Sequence, residues 1–73
     1  MKSYNKIIKI SSDKRFGKPC IRNTRITVSD ILGWLGSGMT YEKVLNDYPE
    51  LTNEDIKASL MFAADREHNL QTI

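Results

Sequence analysis

The hydrophobic period of this chain changes at Thr27, and that change limits what it can fold into more than any other feature. Up to that point apolar and polar residues alternate in short stretches. Beyond it they recur at helical spacing: Val28, Ile31, Leu32 and Leu35 stand at i, i+3, i+4 and i+7, one face of a helix. Tyr41, Val44, Leu45 and Tyr48 repeat the pattern, which makes both tyrosines core residues. Ile56, Leu60, Ala63 and Ala64, broadened by Met61 or Phe62, give the inner stripe of a third helix.

Start and stop signals agree with the period. Thr27 with Asp30, and Thr52 with Asp55, have the spacing of capping boxes, while Thr40 is a good N-cap followed by Glu42 in the first turn. Gly36-Ser37-Gly38 supplies residues that accept a left-handed cap, and Pro49 stops the second helix. Gly33, costly inside a helix, marks a close helix crossing. The spacing therefore predicts three helices of roughly ten, nine and fifteen residues, with a tail fraying after Asn69.

Ahead of the helices, Tyr4–Ile10 reads as a strand, Ser11–Lys14 as a turn and Gly17-Lys18-Pro19 as a break. Cys20–Val28 reads as a second alternating stretch. Asn23 is the expected site of tightening, since asparagine tolerates a positive φ. The fold class is mainly α. A basic β-rich arm or hairpin (residues 1–28) precedes a three-helix, helix-turn-helix body (residues 29–73) within a single domain.

Size and cysteine usage bound the rest. A chain of 73 residues rarely draws more than ~3–5 kcal/mol net from its core, so a staple or a partner subunit is expected. Cys20 is the only cysteine and His68 the only histidine, too few for a disulfide or a four-ligand zinc site. Oligomerisation or tight helix packing is left, and a homodimer is the expected state. No apolar stretch approaches the ~20 residues of a membrane span, and the first twenty residues lack the apolar core of a secretory signal. A cytoplasmic location without a membrane partner follows as an expectation.

Charge is polarised along the chain. Residues 1–28 carry eight lysines and arginines against Asp13, a net of +7, and residues 29–73 carry three against eight acids, a net of −5. A basic arm suits a polyanion or an acidic protein surface, whereas a solvated strand edge explains the lysines more blandly. The third helix is a poor reader of DNA, because its first turn is expected to expose Asn53, Glu54 and Asp55 with only Lys57 nearby. Phosphate contacts must then come from Lys14, Arg15, Lys18, Arg22 and Arg25, with a log–log salt slope of about −4.5 if all five engage.

Catalysis finds little support. Cys20 has no histidine near it to act as a base and reads as a small buried or half-buried thiol. His68 suits the end of a helix, and Trp34 suits the core or a dimer interface. The acids of the helical part are scattered, several of them as caps. No enzyme activity, cofactor or metal site is expected.

The run Gly17-Lys18-Pro19-Cys20-Ile21-Arg22-Asn23-Thr24-Arg25-Ile26-Thr27-Val28 resembles the opening signature of the bacterial domain-of-unknown-function family four-three-three. The likeness continues through Gly38-Met39-Thr40, Tyr48-Pro49-Glu50-Leu51-Thr52, Glu54-Asp55-Ile56 and Leu60. Where the family usually has glycine before Thr-Arg-Ile, this chain has Asn23. The resemblance implies a homeodomain-like helix-turn-helix with an N-terminal β arm. It also implies similarity to VapB-type antitoxins, which are often encoded beside a toxin with a PIN-like nuclease fold. An antitoxin-like protein that neutralises such a nuclease, and binds its operator DNA, is the leading expectation. In it Lys14, Arg15, Lys18, Arg22 and Arg25 meet the anionic partner, with Asn53 and Lys57 facing bases. A stand-alone transcriptional regulator and an adaptor that does not bind DNA are the alternatives.

Overall fold

The structure, a computed structural model, describes residues 3–13 and 15–71. It consists of a small antiparallel β-hairpin followed by three helices, α1 (Val28–Gly36), α2 (Tyr41–Asp47) and α3 (Asn53–Gln71). Each helix begins where its capping residues place it. Thr27 and Asp30 form a reciprocal box at α1, with Asp30 N–H donating to Thr27 Oγ1 (2.9 Å) and Thr27 N–H to Asp30 Oδ2 (3.1 Å). Thr40 Oγ1 accepts from Lys43 N–H (3.1 Å) at α2, and Thr52 with Asp55 repeats the box at α3. Helix α1 ends in a Schellman motif. Met39 N–H reaches the Trp34 carbonyl (3.1 Å), Gly38 N–H reaches Leu35 (3.1 Å), and Gly38 takes the left-handed φ of 108° that the motif requires.

The β part is shorter than alternation predicts. Only Ile8–Lys9 (β1) and Cys20–Ile21 (β2) pair as strands, with Ile8 opposite Ile21 and Lys9 opposite Cys20. Tyr4–Ile10 is therefore not one strand, because Ser3–Lys6 forms a 3₁₀ turn laid on α3. Tyr4 explains the departure: its hydroxyl donates to Asp65 Oδ2 (2.7 Å), and its ring meets Phe62 edge-on at 5.5 Å. The Cys20–Val28 stretch likewise folds back on itself. Thr24 N–H bonds the Ile21 carbonyl (2.8 Å), Ile21 N–H bonds that of Ile26 (2.9 Å), and Cys20 bridges Thr27. The residue that takes the positive φ (42°) in this turn is Arg22 rather than Asn23.

One core serves both parts of the chain. Ile8, Ile21 and Ile26 pack with Val28, Ile31, Val44, Leu51, Ile56 and Ala58. Full burial of an isoleucine contributes about 1.5–3 kcal/mol, so the N-terminal segment is a structural part of the domain rather than an arm held away from it. Cys20 is buried as expected, its Sγ against the Lys18 carbonyl at 3.4 Å. Trp34 stacks on Tyr48 with ring centroids 4.0 Å apart, joining α1 to the end of α2, while Tyr41 turns to solvent instead of entering the core. A side chain at Gly33 would meet nothing within 4 Å, so no helix crosses closely there.

Helix α3 departs most from its reading. Its inward face is Asp55, Ala58, Ser59 and the half-buried Phe62, again an i, i+3, i+4, i+7 set, with Ile56 at its flank. Leu60 is 37% exposed and Ala64 lies outside, so the stripe is rotated from Ile56-Leu60-Ala63-Ala64. Buried Asp55 accounts for the rotation, since Arg22 and Thr52 draw its carboxylate inward. At nineteen residues α3 also outruns the roughly fifteen expected and continues past Asn69. Contacts to and within the helix support its second half. Tyr4 binds Asp65, and the Arg66 guanidinium lies 5.3 Å from the centre of the Phe62 ring.

Candidate docking surface at the basic edge

The seven residues singled out for anionic contact have four different fates. Lys14 lies outside the described residues. Arg22 and Arg15 are used within the molecule, Lys18 and Arg25 face solvent, and Asn53 and Lys57 are exposed on the first turns of α3.

Arg22 is a latch between the hairpin and the helices. Its Nη1 pairs with Asp55 Oδ1, and its Nη2 donates to the Glu50 carbonyl (2.9 Å) in the α2–α3 connection. Its own N–H donates to the Ile7 carbonyl (2.6 Å). Asp55, with no exposed surface, accepts from Arg22 and from Thr52 N–H (2.9 Å), and Ser59 Oγ donates to its main-chain carbonyl (3.0 Å). A carboxylate can be buried this way because every contact made to it is a donor. The expectation that Asp55 is exposed beside Asn53 and Glu54 is thus corrected, and Arg22, still partly exposed, is engaged in an internal ion pair. Capping spacing made Asp55 legible as a cap but carried no sign of its distant arginine.

Arg15 is a brace of a weaker kind. Its Nη1 donates to the Arg25 carbonyl (2.7 Å) and lies 3.5 Å from Asp30 Oδ2, which fixes the outer turn of the hairpin to the start of α1. With both side chains partly exposed, the ion pair contributes at most ~1 kcal/mol. Lys18 and Arg25 are exposed, and neither forms an ion pair with any described residue. Of the described cations singled out on this edge, these two face outward, on a backbone held by the Cys20–Thr27 bridge and by the bond from Val28 N–H to the Pro19 carbonyl (3.0 Å).

The α3 surface is mixed in charge. Lys57 shares a shallow concavity with Glu54, Met61 and Tyr4, so the surface there carries both signs of charge. Tyr4 itself is perturbed: the hydrogen bond to Asp65, then burial, then the carboxylate's charge, hold its phenol above the ordinary value of 10.0. Among the described residues no cluster of three or more histidine, cysteine or acidic side chains could hold a metal ion. No described helix is long and apolar enough to cross a membrane.

The sequence profile of DUF433, described as a protein of unknown function, matches residues 8–63, which include the hairpin, the latch and most of α3. The chain belongs to this family. A solved structure, the crystal structure of a DUF433 member protein from Anabaena variabilis ATCC 29413, superposes with a TM-score of 0.82 at 29% sequence identity. The match covers 89% of this chain and 64% of that one, so this DUF433 chain spans less than two thirds of its relative. No curated protein matches it.

Proposed function

We propose that this DUF433 protein is an antitoxin-like partner of a PIN-like nuclease, acting through the basic edge of its hairpin. The observation that carries the reading is the division of labour among the edge cations. Arg15 and Arg22 fix the backbone, and Lys18 and Arg25 are left to face outward. A nuclease site built from carboxylates around magnesium is a concentrated negative pocket. An arginine fork pairs bidentately with carboxylates and competes with the metal for them, and a lysine beside it adds attraction without directional demand. Because the fork sits on a hairpin that is already ordered, little conformational entropy opposes docking.

Co-expression with the product of the adjacent open reading frame tests the reading. Growth rescue and co-purification are expected, both lost in the double variant K18A/R25A. Failure of the neighbour's product to bind, or rescue by the double variant at the parent level, overturns it. Arg22 is unsuited to this test, since removing it opens the latch to Asp55.

Operator binding is a second activity on the same reading, favoured by the exposure of Asn53 and Lys57 on the α3 of an α2–turn–α3 unit. With Lys18 and Arg25 as the phosphate contacts, the log–log salt slope on duplex DNA is about −1.8, well short of the value for five contacts. A homodimer would present two such units and two basic edges. Duplex retention with no nuclease partner would favour the stand-alone regulator, and a response insensitive to salt would favour the adaptor.

A further inference from the structure

The turn joining β1 to β2 holds a side chain that the charge argument does not use. Phe16 is 98% exposed. Three consecutive residues around it take left-handed backbone conformations: Arg15 (φ 52°), Phe16 (φ 59°, ψ 37°) and Gly17 (φ 79°). Glycine adopts this region without cost, but arginine and phenylalanine do not, and strain of this kind persists only where surrounding bonds impose it. Here the bonds are visible. Arg15 is held by the Arg25 carbonyl and Asp30, and Lys18 N–H closes the turn on the Arg15 carbonyl (3.2 Å). The molecule thus maintains an unfavourable backbone whose result is to push an aromatic ring into water, where it has no hydrophobic gain.

We infer that Phe16 is an anchor for a partner protein, inserting into an apolar pocket whose rim carries carboxylates. The rim chemistry comes from the neighbours. Arg25 lines the same concavity as Phe16, together with Arg15 and Asp13, and exposed Lys18 follows two residues on, so cations outnumber acids around the ring. An aromatic anchor surrounded by charge, on an ordered turn, has the anatomy of an interface hot spot. A nucleic-acid strand fits less well. Stacking along a strand needs successive aromatic platforms, whereas this turn has one ring. A second copy of this chain also fits less well. The apolar groove beside Leu32 and Phe62 is rimmed by both Arg66 and Glu67 and so has no net acidic edge. The inference reaches beyond the antitoxin reading, because any acid-rimmed protein pocket satisfies it.

Replacing Phe16 by the photocrosslinker p-benzoylphenylalanine in the full-length chain, in the cell that encodes it, tests the inference. The crosslinked species is identified by mass spectrometry, and the purified partner is then titrated with the parent, F16A and F16G proteins. The expected result is one protein partner, bound at least about thirtyfold more weakly by both variants, with F16G at least as heat-stable as the parent. If that partner is the neighbouring nuclease, both readings stand. If it is a different protein, the anchor stands and the antitoxin reading falls. Crosslinking to nucleic acid, to a second copy of the chain or to nothing overturns the anchor, as does full-strength binding by F16A to the identified partner.

Discussion

Two turns of the hairpin region place non-glycine residues at positive φ, and they use the conformation in opposite ways. At Arg22 the left-handed backbone directs a guanidinium inward, where it meets Asp55 and the Glu50 carbonyl while its own N–H bonds Ile7. Whatever the backbone costs is offset at once by contacts the same residue makes. At Arg15–Gly17 the bonds of Arg15 hold the left-handed run, but the Phe16 ring that it directs outward is 98% exposed and gains no burial among the described residues. Backbone strain is therefore not a uniform sign of function. It points to a partner only where its benefit is missing from the isolated chain.

Breaking the compensated turn has the largest expected effect. Arg22→Ala leaves the fully buried Asp55 carboxylate without its cation, and should cost about 3–5 kcal/mol of stability by urea denaturation. A loss under 1 kcal/mol would mean that the latch is marginal and the two turns are not so different. Relieving the uncompensated turn should do the reverse. Phe16→Gly is expected to raise stability by about 1 kcal/mol, since it removes left-handed strain and exposed apolar surface together.

Two glycines sharpen the contrast at a similar or slightly smaller scale. Gly17→Ala should destabilise by about 1 kcal/mol, because alanine resists a φ of 79°. Gly33→Ala should stabilise by roughly 0.5–1 kcal/mol, since that helical position has open space around it. Thermal melts of the pair separate conformational need from mere exposure.

The smallest effect is one of pH. The folded Tyr4 phenol titrates above its ordinary value, so its tie to Asp65 contributes fully below pH 10 and is lost as pH rises through the higher folded value. The difference in Tm between the parent and Tyr4→Phe should hold below pH 10 and shrink as pH rises above it. A difference that stays flat above pH 10 would show that the phenol's titration is not coupled to folding.

What was legible in the sequence is what depends on neighbours three or four residues apart. The three helices, the boxes at Thr27 and Thr52, and the glycine cap after α1 are all local, and they stand where spacing puts them. What was not legible joins distant positions. Asp55 is buried because of a residue thirty-three positions earlier, and that pairing rotates α3 enough to expose Leu60 and bury Ala58 and Ser59. Tyr4 left its expected strand for a contact sixty-one positions away. The tightening expected at Asn23 fell on Arg22, since the guanidinium's contacts outweigh asparagine's intrinsic tolerance. The candidate surface divides in the same way. Its cations could be counted from composition, but which of them face inward could not, and no pattern in Arg15-Phe16-Gly17 marks the ring as projecting.

The latch has a consequence for how the protein can be cut. Removal of the first 28 residues would strand a carboxylate in the interior and strip Ile8, Ile21 and Ile26 from the packing. No stable trihelical remnant should survive the loss of that segment.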